Sequence, residues 1–262
     1  RNLLLLAASL FFYAAFGADN LPYLLASIVL TYAAAQLIEK ELLGKRKLWL
    51  VLALVLNLGM LFVFKYFNFF AGLAFGCLSS LGVSADDRTL KLLLPVGISF
   101  FVFQTTGYLM DVYRGKLKAE KSIIDYALFA AYFPGIVSGP IQRAGDMLPQ
   151  YKKPQKFSWD NLRAGFLQFL WGVFKKMVIA DRIAVLVNTA YADPSASTGF
   201  QLIVAALCYS VQIYCDFSAY SDMAIGSSRM MGIKLMRNFD RPYSAVSLQD
   251  FWRRWHISLS TW

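Results

Sequence analysis

An all-α, polytopic bundle of transmembrane helices, with at least one broken or re-entrant helix, is the fold class this sequence predicts. Three observations predict it. Apolar residues fill 58% of the 262 positions and charged residues only 16%, against about 45–50% and about 25% in soluble domains. Several apolar runs reach the roughly 20 residues that a helix needs to cross a bilayer. One apolar stretch carries Pro134-Gly135 and Gly139-Pro140, which an uninterrupted helix does not tolerate. A soluble core of this size cannot hide so many all-apolar helices. The net charge of +10 would favour nucleic acid in a soluble domain. Here the basic residues cluster between apolar runs, as in the cytoplasmic loops of membrane proteins, and no nucleic-acid partner is expected.

The elements follow in order. Leu3–Ala18 is apolar without a secretory cleavage pattern, so it reads as a membrane helix. The turn Asp19-Asn20 leads into a second span, Leu21–Ile38. The loop 39–47 carries Lys40, Lys45, Arg46 and Lys47, and a long third span covers Leu48–Phe75. Lys65 lies inside that span and is expected to snorkel among its aromatic neighbours. Cys77–Lys91 reads as a polar connection and Leu92–Val112 as a fourth span, kinked near Pro95 and Gly97. The loop 114–121 is basic again. Two spans separate the loops 39–47 and 114–121, so both lie on one side, cytoplasmic by the positive-inside rule, together with residue 1.

Tyr126–Ile141 reads as a re-entrant or broken helix, with an interfacial hairpin as the alternative. Backbone that leaves the helix at membrane depth must be sheltered by protein or line a wet cavity. Gln142–Asn161 reads as a polar connection, Leu162–Ala180 as another helix, and Asp181–Gly199 as a loop. Leu202–Ile225 is the last clear span. No repeat or domain boundary is visible, so residues 1–262 read as one membrane-embedded domain, expected to be truncated at both ends. Cys77, Cys208 and Cys215, an odd count without a CxxC pair, argue against a disulfide framework and against a zinc site.

The chemistry concentrates in NFDRPYSAVSLQDFWRRWHISLSTW, residues 238–262, which hold the single histidine, His256. Ser247 to Asp250 has the form of a capping box. Asp250 and Arg254 can pair at i,i+4. Trp252, Trp255, Leu259 and Trp262 follow at helical spacing, so the stretch reads as one aromatic helix bearing His256. A histidine is the natural general base near neutral pH; the plainer reading is a packed imidazole bonded to a carbonyl. Ser258 and Ser260 are more naturally hydroxyls that satisfy helix backbone. Asp216, inside the last span, either lines a cavity or pairs with Lys175, Lys176 or an arginine. Arg237, Arg241, Arg253 and Arg254 either neutralise an anionic group or anchor the chain at the inner face. No metal is expected: there is no second histidine and the carboxylates lack ligand spacing.

Together these residues resemble the membrane-bound O-acyltransferase family. The closer likeness is to its bacterial branch of alginate and peptidoglycan O-acetyltransferases and teichoic-acid D-alanyl transfer proteins. The resemblance rests on LLPVGISFFVFQTTGYLMDVYRG, FPGIVSGPIQR, GVFKKMVIADR and YCDFSAYSDMAIG, and above all on MGIKLMRNFDRPYSAVSLQDFWRRWHISLSTW. It implies a helix bundle around a membrane funnel. It implies transfer of an acyl group, most simply acetyl, from a thioester donor to hydroxyls of an extracytoplasmic polysaccharide or cell-wall polymer. The donor would be acetyl-CoA or the phosphopantetheine of an acyl-carrier protein, and an extracytoplasmic partner protein or polymer would receive the group. His256 matches the histidine of the family's WHISLS motif. A second histidine, in a WHG-like motif, is expected beyond Trp262. Asp216, Asn238, Arg253, Arg254 and Trp255 are the substrate-binding candidates. D-alanyl transfer from a carrier-protein thioester, and a non-enzymatic transporter or channel, are the alternatives.

Overall fold

The computed structural model describes residues 1–41, 44–80 (backbone alone from 74) and 95–262. All the regular structure among them is helical. They form two compact units, residues 1–133 with 143–148, and residues 134–142 with 149–262. The expected polar connection 77–91 falls largely outside the described residues, as do residues 92–94 of the fourth span and the side chain of Cys77.

The first unit is built from α1 (Asn2–Ala15), α2 (Leu21–Lys40), α3 (Arg46–Ser80), α4 (Ile98–Tyr113) and α5 (Ile123–Ala131). Segments 18–40 and 46–73 are long and apolar enough to cross a membrane. Pro22 sits in the first turn of α2, where its missing N–H costs nothing. Lys65 is exposed and its ammonium lies 5.6 Å from the Tyr66 ring centre, within cation–π range. One end of the unit gathers the starts of α1 and α5, the ends of α2 and α4 and the start of α3. There Asn2 donates to Asp125 (2.7 Å), Tyr32 to the Lys121 carbonyl (2.7 Å), Gln36 to the Glu120 carbonyl (2.7 Å) and Arg46 to the Tyr113 carbonyl (3.2 Å).

A polar clasp joins the three long helices of this unit. The Asn57 amide on α3 donates to Thr105 (3.0 Å) and Thr106 (3.2 Å) on α4, and its oxygen accepts from Ser27 on α2 (2.7 Å). Asn57 is fully buried. Apolar contacts between helices give little drive in lipid, so such hydrogen bonds set which faces meet. We expect Asn57→Ala to destabilise the protein by about 1–3 kcal/mol, the cost of orphaning its partners, read as a lower unfolding midpoint in detergent. A Ser27→Ala change, which removes one of the bonds, should cost less.

The helix expected to break does so. α5 ends at Ala131, Tyr132 leaves helical geometry (φ −55°, ψ 108°), and a single turn, α6 (Phe133–Ile136), follows. Side chains satisfy the freed backbone: Gln104 donates to the Phe129 carbonyl (2.7 Å), and Ser9 accepts from the Phe133 N–H (3.2 Å).

Two expected connections are corrected. Residues 142–161 contain a helix, α7 (Ala144–Lys152), with Pro149 inside it. Met147, Leu148 and Tyr151 form its buried stripe, which the surrounding charges obscure in the sequence. The expected loop 181–199 is helical over α9 (Asp181–Ala192). The helix α8 (Trp159–Phe174) continues into α9 through a π-helical segment, Lys175–Ala180. The charges of Asp181 and Arg182 suggest a loop, but Asp181 pairs with Lys176 (2.9 Å) on the surface of the continuing helix. DRIAVLVNTAYA has neither glycine nor proline to stop it.

The second unit is organised on α10 (Gly199–Met230), a third span, opened by a complete capping box of Thr198 and Gln201. α8 packs along it at glycines. A Cβ on Gly165 would meet the Gly226 carbonyl at 2.6 Å, and one on Gly172 would meet the Ala219 carbonyl at 2.7 Å. These two contacts repeat every seven residues on both helices, so the backbones touch along a continuous seam.

Candidate active site

The seam of α8 and α10 sets the first part of the site. One turn beyond Gly172, the π segment turns Lys175 onto α10. Its ammonium, 7% exposed as a residue, bonds Asp222 (2.6 Å) and Ser218 (2.7 Å). Gln168 donates to the other oxygen of Asp222 (3.1 Å). The neighbouring Lys176 faces Asp216 (2.6 Å). π segments inside helices are rare and cluster at functional sites; this one presents two consecutive lysines to two acidic residues of α10. Lys175, Asp222, Gln168 and Ser218 form one wall of a cavity of about 600 Å³. Trp171, Tyr214 and Phe239 supply apolar surface, and Arg237, Arg241, Ser221 and Asn238 also line it.

The second part is the strap from Met231 to Trp262. Ser247 caps α11 (Leu248–Arg254), accepting from the Asp250 N–H (3.1 Å), and Arg254 pairs with Asp250 (2.9 Å), both as the sequence predicts. The guanidinium beside it holds the Asp250 carboxyl below its ordinary value and Arg254 above its own. The single helix expected to carry His256 is corrected. α11 stops at Arg254, Trp255 is extended, and His256 adopts the left-handed conformation (φ 45°, ψ 52°) before a last turn, α12 (Ile257–Ser260). A non-glycine residue there costs about 1–3 kcal/mol and persists only when its surroundings impose it.

Those surroundings are explicit. The Asp240 N–H donates to the Arg254 carbonyl (2.9 Å) and the Ile257 N–H to the Asn238 carbonyl (2.8 Å), clasping the two arms of the strap. Ser260 donates to the Trp252 and Trp255 carbonyls (2.9 and 3.1 Å). Trp255 stacks on Phe251 (5.5 Å between centres) and meets Phe239 edge to face (5.1 Å). The His256 ring stands edge to face on Phe217 of α10 at 4.7 Å. Its Nδ1 lies 3.0 Å from the Asn238 side-chain oxygen, which also receives the Ser258 hydroxyl (2.8 Å) and Ser258 N–H (3.3 Å). The Asn238 amide nitrogen donates to Ser221 (3.0 Å). Burial lowers the His256 pKa below its ordinary value, so the ring is neutral at pH 7, as a proton acceptor must be.

The structure therefore brings together His256, Asn238 and Trp255 of the sequence candidates. Asn238 faces protein on every polar atom and is fully buried. Asp216 is engaged by Lys176 and Arg254 by Asp250, while Arg253 is exposed. His256 itself does not line the 600 Å³ cavity; Asn238 and Phe239 do, and they carry the cavity wall toward it. Sequence reasoning missed the Lys175–Asp222–Gln168 cluster and Ser221. A signal was present: Gln168 and Lys175 are seven apart in one helix, Ser218 and Asp222 four apart in the other, which puts each pair on one helical face.

Comparison with known proteins gives consistent results. The model of the MBOAT, membrane-bound O-acyltransferase family matches residues 21–262. The chain is 40% identical to a protein named probable alginate O-acetylase AlgI of Pseudomonas syringae pv. tomato, covering 100% of this chain and 50% of that protein. It is 38% identical to the peptidoglycan O-acetyltransferase of Helicobacter pylori, over 99% of this chain and 53% of the relative. It is 31% identical to the teichoic acid D-alanyltransferase of Bacillus subtilis, over 66% of this chain and 44% of the relative. The chain spans about half the length of these curated relatives.

Proposed function

The chain belongs to the membrane-bound O-acyltransferase family, and from that premise we propose that it forms part of an enzyme moving an acetyl group from a thioester to hydroxyls of an extracytoplasmic polysaccharide or cell-wall polymer. The observation that carries the mechanism is His256, an imidazole held at one nitrogen by a buried amide in a strained backbone conformation. In this reading the imidazole takes the proton of the acceptor hydroxyl. The oxygen bonds to the thioester carbon, the tetrahedral adduct collapses, and the thiolate leaves with the proton returned by the imidazolium. The thioester supplies the activation. The polar and basic lining of the cavity suits the amide and phosphate groups of a CoA or phosphopantetheine arm. Two supports favour acetyl over D-alanyl: higher identity to the two relatives named for O-acetylation, and matches over the whole chain rather than two thirds of it.

We place the protein in the cytoplasmic membrane as a multi-pass protein with residue 1 and the loops 39–47 and 114–121 inside. The gathering of Asn2, Arg46, Lys121 and Tyr113 at one end of the first unit supports this. The test is transfer of labelled acetyl by the full-length protein in proteoliposomes. Label should move from thioester to polymer, and flux without a thioester, as a channel would give, would overturn the reading. The pH profile adds a signed expectation. The base works neutral and its pKa is lowered, so kcat/KM should be flat near pH 7 and fall only at a pH below the ordinary histidine value of about 6.5. An acid limb above that value would contradict a His256 pKa lowered by burial.

A further inference from the structure

We propose that Asn238 is a positioning residue that locks His256 as the Nδ1–H tautomer, which leaves Nε2 with the lone pair that accepts the proton. This rests on the reading of His256 as the base, but its central claim is about a proton position and can be measured without turnover.

The neighbours of the Asn238 amide fix its orientation. A backbone N–H can only donate, so the atom facing the Ser258 N–H at 3.3 Å is the amide oxygen. The Ser258 hydroxyl donates to the same oxygen at 2.8 Å. On the other side the amide nitrogen needs an acceptor and meets the Ser221 hydroxyl at 3.0 Å. The Ser258 N–H thus sets the orientation, and both hydroxyl contacts are compatible with it around a fully buried side chain.

An amide oxygen is only an acceptor. With His256 Nδ1 at 3.0 Å from it, the stable arrangement puts the proton on Nδ1 and points it at Asn238; the hydrogen bond at one ring nitrogen decides the tautomer. The opposite tautomer would set two lone pairs against each other at that distance. Its compensation would be a hydrogen bond from the Ser258 hydroxyl to Nδ1, but that contact is longer, 3.4 Å, and the hydroxyl is already directed at Asn238. The backbone reinforces the geometry: the Ile257 N–H is bonded to the Asn238 carbonyl at 2.8 Å, so the same residue that binds the ring also anchors the chain immediately after it. Ser221 extends the support to α10, and α10 also carries Phe217, against which the ring stands. The ring is therefore held at one nitrogen by an amide and packed against a perpendicular aromatic ring.

The test is nitrogen NMR on the full-length protein labelled with 15N-histidine. The His256 signals are identified by their disappearance in His256→Gln. At a pH where the ring is neutral, Nδ1 should show the protonated-type shift and Nε2 the unprotonated type. A wild-type spectrum with the proton on Nε2 overturns the proposal without any variant. Asn238→Asp keeps the acceptor oxygen and should keep the tautomer with most of the turnover. Asn238→Leu removes it and should release the ring into a mixture, with kcat lower at least in proportion to the Nδ1–H population lost and the donor KM little changed. Retention of pure Nδ1–H in Asn238→Leu would also overturn the proposal. If the tautomer is lost while kcat holds, the positioning stands and the assignment of His256 as base fails instead. If Asn238→Leu does not fold, the wild-type spectrum and Asn238→Asp still decide.

Discussion

Replacing His256 removes acyl transfer by about 10²–10⁴-fold, the range ascribed to a positioned general base, in the full-length protein assayed with a thioester donor. The left-handed backbone at this position makes the choice of variant matter. His256→Ala deletes the base but also leaves alanine at φ 45°, a left-handed conformation that histidine populates more readily than most side chains. His256→Asn is the sharper test. Asparagine tolerates this conformation and can still donate to the Asn238 oxygen, yet it has no basic nitrogen. The two variants should lose turnover alike, with His256→Asn keeping the wild-type unfolding midpoint. Turnover surviving in His256→Asn would reduce the histidine to a packing residue.

The second large effect lies in the buried pair of α8 and α10. Asp222→Leu leaves the Lys175 ammonium with only Ser218, and breaking one partner of a buried pair costs about 3–5 kcal/mol. Both side chains are mostly buried, 9% and 24% exposed, so little of that is screened away. The double change Lys175→Met with Asp222→Leu replaces the pair by apolar groups and should recover most of the loss. Unfolding midpoints in detergent measure both. If the double variant is no more stable than Asp222→Leu alone, the penalty does not come from an uncompensated charge. Cavity function should still be lost in the double variant, because the polar wall is gone even where stability returns.

Much of the fold is legible in the chain because the signals are local. Spans such as 21–40 and 46–73 follow from apolar composition and length. The break after Ala131 follows from prolines and glycines that cannot continue a helix. The cap at Ser247 and the Asp250–Arg254 pair depend on spacing within one turn. The misread segments, 144–152 and 181–192, failed because charged residues there mark the outer face of a helix and not its end.

Consecutive residues suffice to show that this protein is a bundle of membrane helices, that its one histidine lies in an aromatic, basic stretch, and to which family that stretch belongs. Bilayer-crossing length, turn chemistry and motif wording are all written in consecutive residues. The break of the helix at His256, the grip of Asn238 on the ring and the meeting of Lys175 with Asp222 emerge from the folded chain alone. Each of these depends on residues distant in the chain. Asn238 reaches His256 because the strap folds back and pairs its own backbone, and Lys175 reaches Asp222 because glycines let α8 and α10 touch. Such contacts arise from the closeness of approach between elements, and no window of neighbouring residues encodes that.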